Sequence, residues 1–402
     1  MNAGSEQAAI EVRLDWSANG ILHRNHRYTG KFNFWRDILP GALSVRLPDR
    51  GGEWISEDFP AGELVPPWRE ANIHTVRKSA LKLQRRNGPP VELQAGRHYP
   101  RHMAAGLPDV YAGNMQPMRV VAIDGDRVTV DLNHALARVP LCVSARVVER
   151  LGMTGEHGGR CLDPVEELLA AGAGLETLHP DTGQLLDGQS FTRLDEREDS
   201  LFYADPRLVQ HLDATAIRQV TDIYACVLDD GMQVLDLMSS WVSHLPQASD
   251  LTVTGLGMNA DELARKTRLA HTVLHDLNAD PELPWTDGQF DAAVCTASVE
   301  YLTSPVQVFR QLGRVLRPGA PFVVTFSDRW FPTKSVRLWS DLHPHERMAL
   351  VLEYFRQAGS FTGLATESIS GYPRPADDKY ASEQPLSDPV FAVSGRRSTQ
   401  VS

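Results

Sequence analysis

Cysteine is scarce and scattered: Cys142, Cys161, Cys226 and Cys295 are the four in a chain of 402 residues, and no two form a C-x-x-C pair. That spacing excludes a disulfide framework and a thiolate zinc site as the organising device. His271 and His275 with Asp276, and His343 with His345, complete no recognised ligand set, so no metal is expected. No apolar run approaches the roughly 18 residues of a membrane-spanning helix, and the opening MNAGSEQAAIEV lacks the basic and apolar regions of a secretory leader. A soluble, cytoplasmic protein without membrane association is expected. Positive charge is also short. The 40 Lys and Arg stand against 51 Asp and Glu, a net charge of −11, which argues against nucleic acid, whose binding rests on cancelling phosphate charge.

What is present is ample for folding: 42% of the residues are hydrophobic, and a chain of this length holds two or three domains. The charge divides unevenly, with a net +4 up to Arg150 and −15 beyond it, so two differently composed units are expected. From Ile10 to Glu149 short alternating runs broken by Gly and Pro give a β-rich habit, read as one domain over residues 1–150. Asp124-Gly125 between Arg119–Ile123 and Arg127–Leu132 marks a hairpin. Between two Pro pairs, Arg77, Lys78, Lys82, Arg85 and Arg86 would share one side of a helix, a solvated face rather than an anion site. Residues 151–200 read as a connector with one helix-like stretch, DPVEELLAAGA, and residues 381–402 as a flexible tail.

Over residues 201–380 strand and helix signals alternate: QVLDLM, LTVTGL, ELARKTRLA, DAAVCT, VQVFRQLGRVL and PFVVTFS. Such alternation means a parallel sheet with ligands at the carboxyl ends of its strands. TVTGLGMNADELARK contains G-x-G-x-x-A between strand and helix, with Asp276 about 20 residues on, as in a dinucleotide fingerprint. A fingerprint of that kind follows the first strand of its unit, yet QVLDL precedes it and ends in a polar turn, MSSW. An NAD-dependent oxidoreductase using Gly255 and Gly257 therefore stays an alternative rather than the main reading.

With Asp236 ending one strand, Gly257 ending the next, Asp276 following a third and FDAAVCTASVEYL as a fourth with its exit loop, the chain from Gln233 to Arg329 resembles the class I SAM-dependent methyltransferases. VFRQLGRVLRPGAPFVVTFS carries the resemblance furthest, as helix, Arg317-Pro318-Gly319 turn and strand. The resemblance implies an α/β Rossmann-like methyltransferase domain, S-adenosyl-L-methionine as cofactor, and a polar small-molecule acceptor that the sequence does not identify. It implies that Asp236 opens the first cofactor motif, where Met238, Ser239, Ser240 and Trp241 replace the family's glycine turn. Gly257 stands where the family has its ribose acid, with Met258 to pack on adenine and Asn259 to supply a polar contact or simply begin a helix. Asp276, beside Leu277, would accept from the adenine amino group. Thr296 and Ser298 would border the cofactor, and Glu300 and Tyr301 would orient or deprotonate the acceptor, since methyl transfer depends mainly on alignment. Tyr203, Arg207 and His211 before the first of these strands, and Arg329 and Trp330 after the fifth, would bind the substrate.

In the first half, MRVVAIDGDRVTVDLNHALARVPLCVSARVVE is similar to the SlyD-type FKBP prolyl isomerases, with Asn133-His134-Ala135-Leu136-Ala137-Arg138 departing from the family's closing Gly. The resemblance implies an FKBP-like domain acting as a scaffold or lid. A non-catalytic, chaperone-like or prolyl-isomerase-related binding protein is the remaining alternative.

Overall fold

The computed structural model describes residues 5–49, 51–84, 90–108, 110–156, 158–179, 182–186, 189–247 and 250–399. The chain forms two compact units. The first takes in the chain through Leu186 apart from Gly20–Leu22, together with His345–Ala349; the second takes in Gly20–Leu22, the chain from residue 189 to Pro344, and Leu350 onward.

The first unit is β-rich. Strands β1 (Ser5–Ala18), β2 (Ile21–Asn33), β3 (Ile55–Phe59) and β8 (Leu141–Thr154) are ordered β2-β1-β8-β3, with β1 and β8 paired antiparallel. Ala8, Ile10, Val12, Leu14 and Trp16 alternate along β1 and all point into one core with Val143, Ala145 and Val147 of β8, as the period of two requires. A second sheet, ordered β4-β7-β6-β5, joins β4 (Ile73–Arg77), β5 (His98–Pro100), β6 (Pro117–Asp124) and β7 (Arg127–Asp131) around Tyr99, Met118, Val120, Val128 and Val130. The expected hairpin is present one residue late, its two-residue turn being Gly125-Asp126. The basic segment is not the expected helix, and among its described residues only the 3₁₀ turn Lys78–Ala80 is helical. Ile73–Arg77 pairs along β7, because β-branched Ile73, Thr75 and Val76 favour a ladder; Arg85 and Arg86 lie outside the described residues.

Helices α1 (Leu43–Arg46) and α2 (Pro164–Ala170) complete this unit. Asp163 caps α2 by accepting from Val165 N and Glu166 N, and Val165, Leu168 and Leu169 enter the core beside β1. Much of the expected connector therefore belongs to the first unit, because its apolar helix face is buried there.

In the second unit α3 (Asp199–Phe202) and α4 (Ala214–Ala225) precede β9 (Gln233–Leu237), β10 (Thr252–Gly257), α5 (Ala260–Arg265), β11 (Leu269–Leu274), β12 (Ala292–Thr296), α6 (Pro305–Val315) and β13 (Pro321–Phe326). Then come α7 (Arg337–Asp341), α8 (Pro344–Ala358), β14 (Phe361–Ser370) and β15 (Val390–Arg397). The strand order is β11-β10-β9-β12-β13-β15-β14, parallel through β13 and antiparallel about β15. The chain steps one way from β9 to β10 and the other way to β12, so a crevice opens at that switch point. Val234, Leu235 and Leu237 of β9 and every residue of β13 are buried, as strands covered on both faces must be. Amphipathic α6 turns Val308, Phe309, Leu312 and Val315 inward, with Phe309 edge-on to Phe322 and Phe355.

The expected flexible tail is a correction. Val390–Arg397 is β15, inserted between β13 and β14 with Val390, Phe391, Ala392 and Val393 buried; the Ser and Pro just before it masked a short apolar run.

Candidate functional site

The first turn of the site is built from β9. After Leu237 the chain reverses through Met238, whose φ of 54° lies in the left-handed region, uncommon for a residue with a side chain. Ser239 N then donates to Leu256 O at 2.6 Å, laying the turn onto β10. That close approach needs Gly257, since a Cβ there would sit 2.3 Å from Ser239 O. A Cβ on Gly255 would meet the Leu269 side chain at 2.7 Å. Both glycines thus face this chain's own atoms and lie within a strand, not in a phosphate-cradling turn, which removes the basis of the dinucleotide alternative.

Around that turn a polar group gathers. Ser239 Oγ donates to Asp236 Oδ2 at 2.9 Å, and Lys266 Nζ pairs with the same carboxylate oxygen while donating to Ser239 Oγ at 3.1 Å. Lys266 and Asp236 are each 5% exposed. Ser240 Oγ donates to Glu262 Oε2 at 2.6 Å, and Arg207 N to Glu262 Oε1 at 2.7 Å. His244 lines the same wall, and burial, reinforced by the Lys266 charge, pushes its pKa down to about 4.

Asn259 takes the second of its two expected roles, beginning a helix. Its Oδ1 caps α5 by accepting from Asp261 N and Glu262 N, and its Nδ2 donates to Tyr203 O and Ala204 O. The acid nearest the place reserved for it is Glu262, one turn along the helix it starts. Asp276 spends Oδ1 on Asn278 N and Ala279 N, a local turn, and among the described residues no bond is found for its Oδ2. Leu277 beside it is buried.

At the exit of β12, Thr296 Oγ1 meets Tyr224 OH at 2.6 Å, which also meets Thr325 Oγ1 at 2.8 Å. Ala297 follows with φ of 47°, and Ser298 Oγ donates to Thr296 O at 2.8 Å. Tyr301 OH accepts from Phe331 N at 2.9 Å. Burial, with the Glu300 charge, raises the Tyr301 pKa well above its ordinary value, and Tyr203 moves the same way for the same leading reason.

These elements enclose one cavity of about 1210 Å³, open solvent at its mouth included. It brings together Tyr203, Arg207, His211, Asp236, Met238, Ser239, Ser240, Gly257, Met258, Asn259, Asp276, Leu277, Thr296, Ser298 and Tyr301. Three expected site residues stand apart from it. Glu300 is 1% exposed, its carbonyl holding Val336 N, because the 3₁₀ turn Val299–Tyr301 directs it into the protein while Tyr301, also buried, lines the cavity. Arg329 turns to Asp388 at 2.8 Å and to the Tyr380 ring, and Trp330 does not line the cavity. Phe331 does so instead, edge-on to His211 at 5.0 Å. The guanidinium of Arg207 stacks over the Phe202 ring at 3.9 Å. His211 is held below its ordinary pKa by burial, so its imidazole is neutral near pH 7.

Sequence reasoning missed Lys266, Glu262, His244, Phe331 and Asp199. Asp199 lines the cavity and anchors its rim through Arg193, two contacts of 2.8 Å, Asn278 Nδ2 at 2.7 Å and Lys334 at 3.0 Å. Phe331 adjoined two residues that were chosen; the others carried no local signal. Among the described residues no group of three or more His, Cys, Asp or Glu is placed to hold a metal ion, and no helix is long and apolar enough to cross a membrane.

The cavity suits S-adenosylmethionine in chemistry. Buried Asp236, Ser239 and Lys266 at one end answer a charged head, while Met258, Leu277 and the Asp276 carboxylate answer a flat base. The methyltransferase domain family matches residues 238–324. The ubiquinone/menaquinone biosynthesis C-methyltransferase UbiE of Laribacter hongkongensis is 29% identical over 154 residues, which span 36% of this chain and 62% of that relative, less than two thirds of its length. Among solved structures, the [4+2]-cyclase SpnF is 17% identical over 50% of this chain and 92% of its own, with a TM-score of 0.35. A SAM-dependent methyltransferase from Aquifex aeolicus is 16% identical over 50% and 97%, with a TM-score of 0.31. The second unit of this chain carries a class I SAM-dependent methyltransferase domain.

Proposed function

We propose that this protein transfers a methyl group from S-adenosylmethionine to a small, planar, polar acceptor. One observation carries the reading: a single cavity at the carboxyl ends of β9, β10 and β12 joins a buried polar end at Asp236 and Ser239 to an aromatic and basic end at Tyr203, Arg207, His211 and Phe331. When bound, S-adenosylmethionine supplies a methyl on a sulfonium, an electrophile that needs an aligned nucleophile more than acid or base. In this reading Asp236, Ser239 and Lys266 hold the amino-acid end, and Glu262 takes the ribose hydroxyls. Met258 and Leu277 flank the adenine, whose amino group Asp276 Oδ2 accepts. Thr296, Ser298 and Tyr301 shape the space beside the methyl. Tyr203, Arg207 and Phe331 hold the acceptor flat. If the nucleophile carries a proton, neutral His211 accepts it on a ring nitrogen, since Tyr203 and Tyr301 stay protonated and Glu300 is outside the cavity.

For the first unit the SlyD-type reading is retained as a scaffold. It is supported by the antiparallel sheets and by the Asn133 turn, where Oδ1 accepts from Arg69 N at 2.9 Å and Asn72 Nδ2 at 3.0 Å.

Calorimetric titration tests the cofactor. S-adenosylmethionine is expected to bind at about −7 to −8 kcal/mol, low to middling micromolar, and NAD not to bind. Asp276→Asn keeps an acceptor for the local turn but presents an amide to the adenine amine, so affinity should fall by about tenfold or more while the fold persists. Binding of NAD in place of S-adenosylmethionine, or of neither, would overturn the reading.

A further inference from the structure

We propose that Lys266 determines specificity within this site by requiring a free carboxylate on the amino-acid end of the ligand. The inference rests on the methyl-donor reading above and goes beyond it.

Three observations lead there. The turn after β9 lacks the glycines through which backbone N–H groups approach a ligand, and Ser239 N is already donated to Leu256 O. A carboxylate arriving there must find its donor elsewhere. Lys266 supplies one. It follows the last residue of α5 in extended conformation, φ −84° and ψ 90°, and its ammonium is buried in the cavity wall against Asp236 and Ser239. The third observation is charge balance. Asp236 and Lys266 form a buried pair of opposite charges, and removing one partner of such a pair is strongly unfavourable. An α-amino acid head carries both charges. Its ammonium can replace that of Lys266 at Asp236 while its carboxylate receives the released Lys266, so each buried charge keeps an opposite neighbour. A ligand with the ammonium alone displaces Lys266 and gives it nothing in return.

Calorimetry on the full chain decides this with S-adenosylhomocysteine, its decarboxylated analogue, and 5′-methylthioadenosine, which lacks the whole amino-acid head. Wild type should prefer S-adenosylhomocysteine over the decarboxylated analogue by about 10- to 100-fold, the worth of one charge-assisted contact. Lys266→Met and Lys266→Gln should bring that preference to within about threefold by weakening S-adenosylhomocysteine, and Lys266→Arg should keep most of it. Equal binding of the two ligands by wild type, or an undiminished preference in a folded Lys266→Met or Lys266→Gln protein, would overturn the proposal; the wild-type ratio decides even if both variants fail to fold. Failure of wild type to bind any of the three would instead overturn the methyl-donor reading, and this proposal with it.

Discussion

Single residues fix the site through contacts that no motif spells out. A methyl group on Gly257 meets backbone oxygen, whereas one on Gly255 meets a flexible leucine. Gly257→Ala should therefore lift the Met238–Ser240 turn, abolish cofactor binding by calorimetry, and destabilise by about 1–3 kcal/mol. Gly255→Ala should be milder on both measures. Glu300→Gln should leave turnover within about threefold once an acceptor is known, because a general base must reach the proton it removes; a loss of a hundredfold or more would return Glu300 to catalysis. Asp236 was legible because an acid ending an apolar strand ahead of a polar turn has few other uses. Lys266 was not legible. In ELARKTRLA it reads as one more solvated charge on a helix, and only the end of α5 at Arg265, a tertiary outcome, turns it inward.

At the level of elements, β9, β12 and β13 were legible as short apolar runs bounded by turn residues, whereas β11 was not, since its first residues read as the end of the helix signal ELARKTRLA and most of it is exposed. The helix expected around Lys78 is cut to the 3₁₀ turn Lys78–Ala80 where β7 offers Ile73–Arg77 a ladder, and the expected tail failed because four consecutive buried residues in β15 give too short a run to outweigh the Ser and Pro before it. The segment leading to β15 is held by Arg374, whose buried guanidinium bonds Asp388 at 2.6 Å and lies 3.4 Å from Asp213. Asp213 in turn caps α4 through Thr215 N and Ala216 N. Arg374→Met should leave buried Asp213 without this cation and Asp388 with Arg329 alone, a loss of about 3–5 kcal/mol. Denaturant unfolding followed by tryptophan fluorescence would measure it, and a change below about 0.5 kcal/mol would show the segment held by other means.

For the whole molecule, acid should be destabilising earlier than carboxylate titration alone would make it. Burial lowers the pKa of His23, His134, His211 and His244 in the folded chain. Unfolded histidines titrate near 6.5, so from there down to about 4 for His244 the unfolded state binds more protons and stability falls with pH. Burial alone would raise Glu176, Glu346, Asp199 and Asp388, but their partners together, led by His345, His98, Arg193 and Arg374 respectively, outweigh it and hold them low. Their stabilising share is present above the ordinary carboxylate range and is lost only in stronger acid. Melting midpoints should fall between pH 7 and pH 5, and His244→Asn should flatten that fall. A midpoint that rises over the same interval would contradict the assignment.

The place of β15 between β13 and β14 has a consequence for biosynthesis. The strands that line the cavity leave the ribosome well before β15, and β14 emerges before β15, one of its neighbours. The second unit therefore cannot settle until Arg397 is clear of the exit tunnel. Until then, the inner flank of β13 is an exposed apolar ladder on a nascent chain, a surface for chaperones to cover. Shortening the protein to Pro389 would remove an interior strand rather than trim an end.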